Sequence, residues 1–340
     1  MIRRQRSGVL FGLVSVAILA AGCGSSQAPA QSKSASAEPI VAKFALFTGA
    51  TSPQTLAAQR LGQILKKDTG GKITIQTYPL GELGSTNTVL SGIETGSIQM
   101  TVTGGVASLV PQFEAMYLPY LFPSEKSVMA VSNGPVGQEI WSHFSKYHMK
   151  VIGVWPFGYS DFLTDRPVTS VASLKGMKLR VFDPPAGDYT DRALGANPTP
   201  LAVNQVFTAL QTHTVDGMDD PISSLVSGKD YQAVKYLAIT QHFFVFGPVL
   251  VSESFWKQLT PTEQKDLISA ERQVEPYEWQ LAVQQQTAGI KTMQQAGVVV
   301  THPNLQPFKA ATKVVYQQLE SVVGKSLVQQ IQKAVQQSGQ

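Results

Sequence analysis

The chain has 340 residues, of which 43% are apolar, a formal net charge of +4 and a single cysteine. This length and apolar content allow one large domain or two ordinary ones, each with a sizeable hydrophobic core. A single cysteine excludes an internal disulfide, so core burial must stabilise the fold. Without the three arginines among the first six residues the net charge is +1, and such a nearly neutral chain is not expected to bind nucleic acid.

The first 23 residues have the pattern of a secretory leader. Basic residues 1–6 precede an apolar run at residues 9–21, which is too short to span a bilayer comfortably. Small residues before Cys23 predict a lipoprotein signal peptide at 1–23, with Cys23 acylated as the mature N-terminus. The alternative is ordinary secretion with cleavage nearby and a free thiol. Residues 24–38 are rich in Ser, Ala and Gln, which predicts a flexible tether.

The segment that follows alternates strand and helix signals. Strands are predicted at about 40–47, 72–78 and 98–103, with a helix capped by Ser52 after the first and another near 87–94. This βαβαβ order indicates a parallel sheet. Gly104 and Gly105 follow the third strand and leave room and free backbone amides at its carboxyl end.

Further strands are predicted at 151–155, which leads into a second domain at about Phe157–Ser160, and at 243–252, which returns the chain to the first. A capping box at 260–263 begins a helical pattern that reaches residue 296, roughly 50 Å long at about 1.5 Å per residue. Pro276 is expected to bend this helix. The chain ends with a strand at 298–301 and a Gln-rich amphipathic helix.

The stretch from 173 to 225 contains the main site candidates. Arg180 lies near the carboxyl end of a short predicted strand, which prolines 184 and 185 terminate. A turn at 197–200, a helix at about 204–212 and a brief strand at 215–221 follow, the last with Asp219 and Asp220. Two such strand–helix units are expected to bring Arg180 and Asp220, each near the end of its strand, to one edge of the sheet. Open α/β sheets bind ligands at this edge.

Several blocks in this order resemble the solute-binding proteins of TRAP (tripartite ATP-independent periplasmic) transporters, which are extracytoplasmic receptors for dicarboxylates, sialic acid and 2-oxo acids. The blocks are TGGKITIQTYPLGELGS, LPYLFPSEKSVMAVSNGPVGQEI, LKGMKLRV, ALGANPTPLAVNQVFTALQT, VDGMDDP and GVVVTHPNLQPF. The resemblance implies an α/β, two-domain periplasmic-binding-protein-like (Venus flytrap) fold, with mixed sheets and a long helix crossing both domains. Domain I is then expected at 39–157 and 246–285, and domain II at 158–245 and 286–335.

The resemblance also implies that Arg180 holds the carboxylate of the ligand, which a planar guanidinium can grip through two parallel hydrogen bonds. The competing interpretation is a surface arginine paired with a local acid. Asp220 stands where the family usually has asparagine. Because a carboxylate there repels an anion, Asp220 must face a hydroxyl or ammonium group of the ligand, pair with Arg180, or point elsewhere, for instance as a helix cap. We favour the first.

Other positions depart from the family pattern and leave the site poor in charge. Ser160 stands where a second arginine is frequent, and Val203 where an aromatic residue is frequent. The complete set of expected ligand-binding residues is Phe47, Thr48, Thr103, Gly104, Gly105, Phe157, Ser160, Arg180, Val203, Asp220 and Phe246. One guanidinium among apolar walls favours a monocarboxylate with a small or hydrophobic body over a dicarboxylate or a sugar acid. For each aromatic residue taken singly, core packing is the competing interpretation.

These features predict a receptor and not an enzyme, located in the periplasm or at the cell surface and anchored by lipidated Cys23. It would close about a hinge, and the resemblance implies that it delivers its ligand to one small and one large integral membrane subunit. No cofactor or metal is expected, because the five histidines lack ligand spacing and no phosphate-binding glycine motif is present. The alternatives are a receptor for a sensor or an ATP-driven transporter, and a secreted enzyme acting on small acids with Asp219 and Asp220 as an acid/base pair.

Overall fold

The fold is built on a mixed β-sheet that runs through the part of the chain described by the computed structural model, residues 39–181 and 185–338. Ten strands occur in these residues, at Ile40–Ala45 (β1), Ile73–Tyr78 (β2), Met100–Val102 (β3), Met149–Thr164 (β4), Lys178–Val181 (β5), Asn197–Pro200 (β6), Gly217–Pro221 (β7), Tyr236–Ala238 (β8), Phe244–Ser252 (β9) and Val299–Thr301 (β10). Their order is β2-β1-β3-β9-β4-β7-β5-β6, and β8 links β4 to β10.

Helices cover both faces of this sheet. They lie at Pro53–Asp68 (α1), Thr86–Thr95 (α2), Glu125–Asn133 (α3), Pro135–Ser142 (α4), Pro185–Ala193 (α5), Val203–Gln211 (α6), Ile222–Ser227 (α7), Glu253–Gln258 (α8), Pro261–Gln295 (α9), Leu305–Ala311 (α10), Lys313–Val323 (α11) and Lys325–Ser338 (α12). Short 3₁₀ turns at Pro111–Tyr117 and Asp230–Gln232 carry further residues used below.

The strand directions confirm the predicted βαβαβ start and make the sheet mixed. β1 runs parallel to β2 and β3, and β5 runs parallel to β6 and β7. The antiparallel strand β9 joins β3 to β4, and β4 is also antiparallel to β7. The two parallel groups are therefore joined through the antiparallel strands β9 and β4.

Buried side chains form one large core and two smaller ones. The large core lies under β1, β3, β9 and the first part of β4, where Phe44 stacks on Trp155 at 5.7 Å between ring centroids. The two smaller cores lie around β5, β7, β8 and the end of β4, and include Leu163, Met218 and Leu179. Val315 and Ile331 of the last two helices belong to the large core, whereas the sequence placed residues 286–335 with the second domain.

Two long elements connect the cores. β4 spans 16 residues and pairs with β9 through Tyr159, then with β7 from Ser160 onward. α9 spans 35 residues, and its Leu267 belongs to the large core while Met293 belongs to a smaller one. The predicted helix that crosses both parts of the molecule is confirmed, together with its capping box at Thr260 and Glu263.

Two local predictions were wrong. Residues 197–200 form the edge strand β6 and not a turn, because an edge strand needs hydrogen bonds on one side only and so tolerates Pro198 and Pro200. The final segment is three helices and not one, because Thr312 caps α10 and Gly324, at φ +89°, ends α11. The tether and the lipidation site at Cys23 lie outside the described residues.

A buried carboxyl group marks the crossing of α9 and β4. Glu271 is 1% exposed and its Oε1 accepts a hydrogen bond of 3.2 Å from Trp155 Nε1. It fits only because Gly153 has no side chain, since a Cβ there would lie 1.8 Å from the same oxygen. Burial, with a smaller contribution from the charge of Glu275, raises the pKa of Glu271 to about 8.

We therefore expect Glu271 to make folding pH-dependent. Its pKa is higher in the folded than in the unfolded chain, so its stabilising effect is complete below about pH 4.5 and is lost as the pH rises toward 8. In Glu271→Gln, which keeps an acceptor for Trp155, the fall in unfolding free energy between pH 5 and pH 8 should be shallower, by up to roughly 1.4 kcal/mol per pH unit. Chemical denaturation at several pH values measures it.

The exposed Glu94 provides the control, since Glu94→Gln should leave the pH profile unchanged. A Glu271→Gln profile with the wild-type slope would contradict the assignment of a neutral, buried carboxyl group at the crossing.

Candidate functional site

A cavity of about 440 Å³ lies at the carboxyl ends of the parallel strands. Residues after β1 and β3 form one wall, and residues at the ends of β5 and β7 form the opposite wall. The first turns of α2 and α6 complete the rim. The walls thus come from both sides of the central strands, as expected for a ligand site in an open α/β sheet.

Arg180 lies inside this cavity at the end of β5. Lys178 and Arg180 share one face of the strand by alternation, but Lys178 near its start is exposed, whereas Arg180 at its end is 4% exposed beside the cavity. Its Nε donates to the Leu201 carbonyl at 3.2 Å, and its Nη1 lies 3.4 Å from Asp220 Oδ2. These contacts fix the plane of the guanidinium, so the interpretation as an exposed surface arginine does not apply.

Asp220 lies on β7 beside Arg180, as predicted, and the contact corresponds to the pairing alternative. The helix-cap alternative does not hold, because α7 begins at Ile222 after Pro221 and no side chain caps it. Burial raises the pKa of Asp220 to about 7, Arg180 opposes this, and the charges of Asp219 and Asp230 add to it. Burial therefore shifts the Asp220 carboxyl toward its neutral form relative to an ordinary aspartate.

Asp219 points to the opposite face of β7, because neighbouring residues of a strand alternate. Its Oδ2 accepts from Ser160 Oγ at 2.8 Å and lies 3.1 Å from His242 Nε2. Thr240 Oγ1 bonds the other ring nitrogen of His242 at 2.9 Å. Asp219 and Asp220 therefore lie on different sides of the sheet, which does not suit a paired acid and base.

Most of the expected site residues line the cavity: Phe47, Thr48, Thr103, Gly104, Phe157, Arg180, Val203 and Asp220. Ser160, Gly105 and Phe246 do not. Ser160 bonds Asp219 behind the sheet, and the amide of Gly105 turns back to Thr103 Oγ1 at 3.1 Å. Phe246 packs against Phe113 and other core rings, because alternation along β9 turns Val245 and not Phe246 toward the cavity.

The sequence did not identify several polar groups of the wall. Asp230, in the 3₁₀ turn after α7, lies beside the cavity, and burial raises its pKa to about 6 while Arg180 opposes the shift. Asn87 and Asn204 line the cavity from the first turns of α2 and α6. The Ser224 side chain also lies beside the cavity, and its hydrogen bonding to Asp220 lowers the pKa of that carboxyl, against the effect of burial. The predicted helices at about 87–94 and 204–212 begin at Asn87 and Asn204, so the sequence could have indicated both as rim residues. No local sequence pattern indicated Asp230.

The two walls touch at the cavity mouth. The Gly49 amide, in the loop after β1, donates to Ser227 Oγ of α7 at 3.2 Å, and a Cβ on Gly49 would lie 2.1 Å from the Ser227 carbonyl oxygen. After β2, a Cβ on Gly81 would lie 3.0 Å from Val203 of α6. The two walls therefore come close together at these two glycines, where a Cβ would crowd the opposite wall.

The described residues contain neither a metal-binding cluster nor a membrane-spanning helix. No group of three or more His, Cys, Asp or Glu side chains there is arranged to hold a metal ion. Among the helices of that same part of the chain, none is both long and apolar enough to cross a membrane.

Comparisons with known proteins agree with this architecture. Residues 44–321 match the family described as DctP, bacterial extracellular solute-binding protein, family 7. The sialic acid-binding periplasmic protein SiaP of Vibrio cholerae is 27% identical over 292 residues, which cover 85% of this chain and 91% of that protein.

Solved structures agree as well. The sugar acid binding protein DctPAm of Advenella mimigardefordensis, in complex with galactonate, is 24% identical with a TM-score of 0.86 over 88% of this chain and 99% of that one. A TRAP periplasmic solute binding protein of Bordetella bronchispeptica, with density interpreted as pantoate, is 25% identical with a TM-score of 0.83 over 86% of this chain and 99% of that one.

These matches span most of this chain and most of each relative. The family consists of binding proteins and not enzymes, and its members take up small organic acids and work with membrane transporter subunits. The chain belongs to the DctP family of bacterial extracellular solute-binding proteins, the periplasmic receptors of TRAP transporters.

Proposed function

We propose that this receptor captures a small organic monocarboxylate with an apolar body, either plain or carrying a hydroxyl or amino group. Arg180 binds the carboxylate through two parallel hydrogen bonds. The observation that carries the proposal is the position of Arg180, which is almost fully buried at a strand end inside a cavity walled from both sides of the sheet.

The charges of the wall favour one ligand carboxylate over two. Arg180 is the one cationic side chain among the described residues that line the cavity, and Asp220 and Asp230 are its acidic ones. A second ligand carboxylate about 5 Å from either aspartate would be repelled by roughly 3 kcal/mol at an effective dielectric near 20. Asp220 instead suits a hydroxyl or ammonium group of the ligand, which can donate to it.

The apolar part of the wall suits an apolar ligand body. Phe47 and Phe157 line one wall, and Val203, Phe207 and Met218 line the other. Pantoate combines one carboxylate, two hydroxyls and a dimethyl-substituted carbon, so it has the features that this wall can contact. The relative with density interpreted as pantoate supports the choice of this acid as the first probe.

The ligand would be enclosed by movement of two domains about a hinge. We assign 39–157 and 246–285 to one domain and 158–245 and 286–335 to the other. Helices α11 and α12, within the last range, nevertheless pack on the large core of the first domain. The contacts of Gly49 with Ser227 and of Gly81 with Val203 support a closed form. A ligand that touches both walls stabilises that form over the open one.

After closure the receptor would deliver its ligand to one small and one large integral membrane subunit. A lipid on Cys23 would hold it at the membrane surface. Mass spectrometry of the mature N-terminus tests the anchor, because acylation adds a lipid mass that plain cleavage does not.

Replacing Arg180 by alanine should weaken carboxylate binding by at least ~2 kcal/mol, because a charge-assisted bidentate contact is lost. Calorimetry with pantoate measures the effect. Arg180→Lys should recover only part of the affinity, because an ammonium group cannot form the same fork. Arg192→Ala is the matched control, since Arg192 is exposed on α5 and pairs with Asp188. Equal pantoate affinity in Arg180→Ala would contradict the proposed role.

A panel of three acids tests the ligand class. Pantoate should bind more tightly than succinate, by about tenfold or more, because the second carboxylate of succinate meets Asp220 and Asp230 without a second cation. Sialic acid should also bind more weakly than pantoate, because its polar substituents meet apolar walls. Tightest binding of succinate would contradict the monocarboxylate assignment, and tightest binding of sialic acid would contradict the apolar body.

Asp220→Asn should weaken the binding of pantoate, a hydroxy acid, and leave a plain acid such as 3,3-dimethylbutanoate bound equally well or better. The amide keeps the size of the side chain but removes the negative charge that accepts from a hydroxyl and repels a carboxylate. Calorimetric titration of both acids into both proteins measures the change. The opposite ranking would show that Asp220 does not receive a ligand donor.

A further inference from the structure

The charged groups that line the cavity do not balance. Arg180 contributes one positive charge, while Asp220 and Asp230 contribute two negative charges when both are ionised. With both aspartates ionised, the wall carries a net charge of −1 before any ligand enters. This is an unusual setting for the capture of an anion, because the guanidinium that should attract the carboxylate is already compensated.

The other groups around Asp220 do not correct the imbalance. Asp219 precedes it on β7, Asp161 on β4 lies opposite it in register, and Tyr117 approaches from the 3₁₀ turn Pro111–Tyr117. Helix α6, which faces the cavity, carries no charged residue, and helix α7 contributes Ser224. Of these groups around Asp220, Arg180 is thus the one that carries a positive charge.

Asp219 and Asp161 are both committed elsewhere. Asp219 bonds Ser160 and His242 on the far face of the strand. Asp161 Oδ1 accepts from the amides of Thr240 and Gln241, at 2.8 and 2.9 Å. Neither can share a proton directly with a ligand in the cavity, whereas Asp220 and Asp230 both line it.

From this arrangement we infer that the receptor binds its organic anion together with one proton, taken from solvent and held on a carboxyl oxygen of Asp220 or Asp230. The proton neutralises one aspartate, so that the bound carboxylate, the guanidinium and the remaining aspartate carry a total charge of −1, the same as the empty wall. The inference rests on the proposed function, because it requires the ligand carboxylate to lie beside Arg180.

The ionisation behaviour of the empty site supports this coupling. Burial holds the pKa of Asp220 at about 7 and that of Asp230 at about 6, so protonation near neutral pH costs little. A bound anion disfavours the charged carboxylate further and raises these pKa values. A group whose pKa is raised by binding makes binding tightest at low pH, and affinity falls as the pH rises above the pKa of the empty site.

Calorimetry in two buffers tests the inference. Pantoate is titrated at pH 8 in HEPES and in Tris, whose ionisation enthalpies differ, so the difference in observed heat gives the number of protons taken up. We expect about one proton per pantoate at pH 8, and much less than one at pH 5.5, where the empty site already holds it. The dissociation constant should be about fivefold higher at pH 8 than at pH 7.

Two variants locate the proton. The double variant Asp220→Asn with Asp230→Asn should bind pantoate without proton uptake and with a dissociation constant that changes less than about twofold between pH 7 and pH 8. Asp68→Asn, at an exposed position at the end of α1, should keep the wild-type uptake.

The outcomes separate the two proposals. Pantoate binding to the wild-type protein without proton uptake at pH 8 would overturn the inference and leave the proposed function intact. Proton uptake that persists in the double variant would also overturn it, because the proton would then be held elsewhere. No binding of pantoate at any pH would overturn the proposed ligand class, and the inference would fall with it.

Discussion

The site depends on a positive charge that is kept out of water. Arg180 is 4% exposed, and burying a guanidinium costs free energy unless its N–H groups and its charge find partners. The carbonyl of Leu201, directly after β6, and the carboxyl of Asp220, on β7, supply these partners. Because β5 and β7 are parallel neighbours, their carboxyl ends meet at one edge and place these groups together. The same contacts hold the Arg180 side chain beside the cavity, where it is shielded from bulk solvent.

The sequence predicted this part of the molecule well, and the physical reasons are identifiable. Alternation in KLRV puts Lys178 and Arg180 on one face of the strand, and the prolines that follow place Arg180 near its end. Helix caps at Ser52 and Thr260 are local hydrogen-bonding patterns, so α1 and α9 begin where the sequence indicates. The family resemblance extended these local signals to a two-domain topology, which strand and helix patterns alone left open.

What the sequence missed depends on spatial arrangement. Phe157 lies at an irregularity of β4 between Pro156 and Gly158 and lines the cavity, whereas Ser160 bonds Asp219 on the other side of the sheet. The family comparison of single positions did not take this into account. Alternation separates Val245 from Phe246 on β9. Asp230 reaches the cavity because the chain turns back after α7, and no residue type or spacing marks that approach. Residues 197–200 looked like a turn because proline lacks an N–H group, yet an edge strand does not need it there.

The long strand β4 and its partner β9 have a consequence for how the chain acquires its structure. The large core contains Ala42 near one end of the described chain and Val335 near the other, with β9 from the middle paired between β3 and β4. Such contacts between distant residues form slowly, and the two parallel groups, each built from one stretch of the chain, are joined only through β9 and β4. We therefore expect that fragments ending before Phe244 do not acquire the large core. A polypeptide emerging end first from a translocation channel would remain open until nearly all of it had crossed.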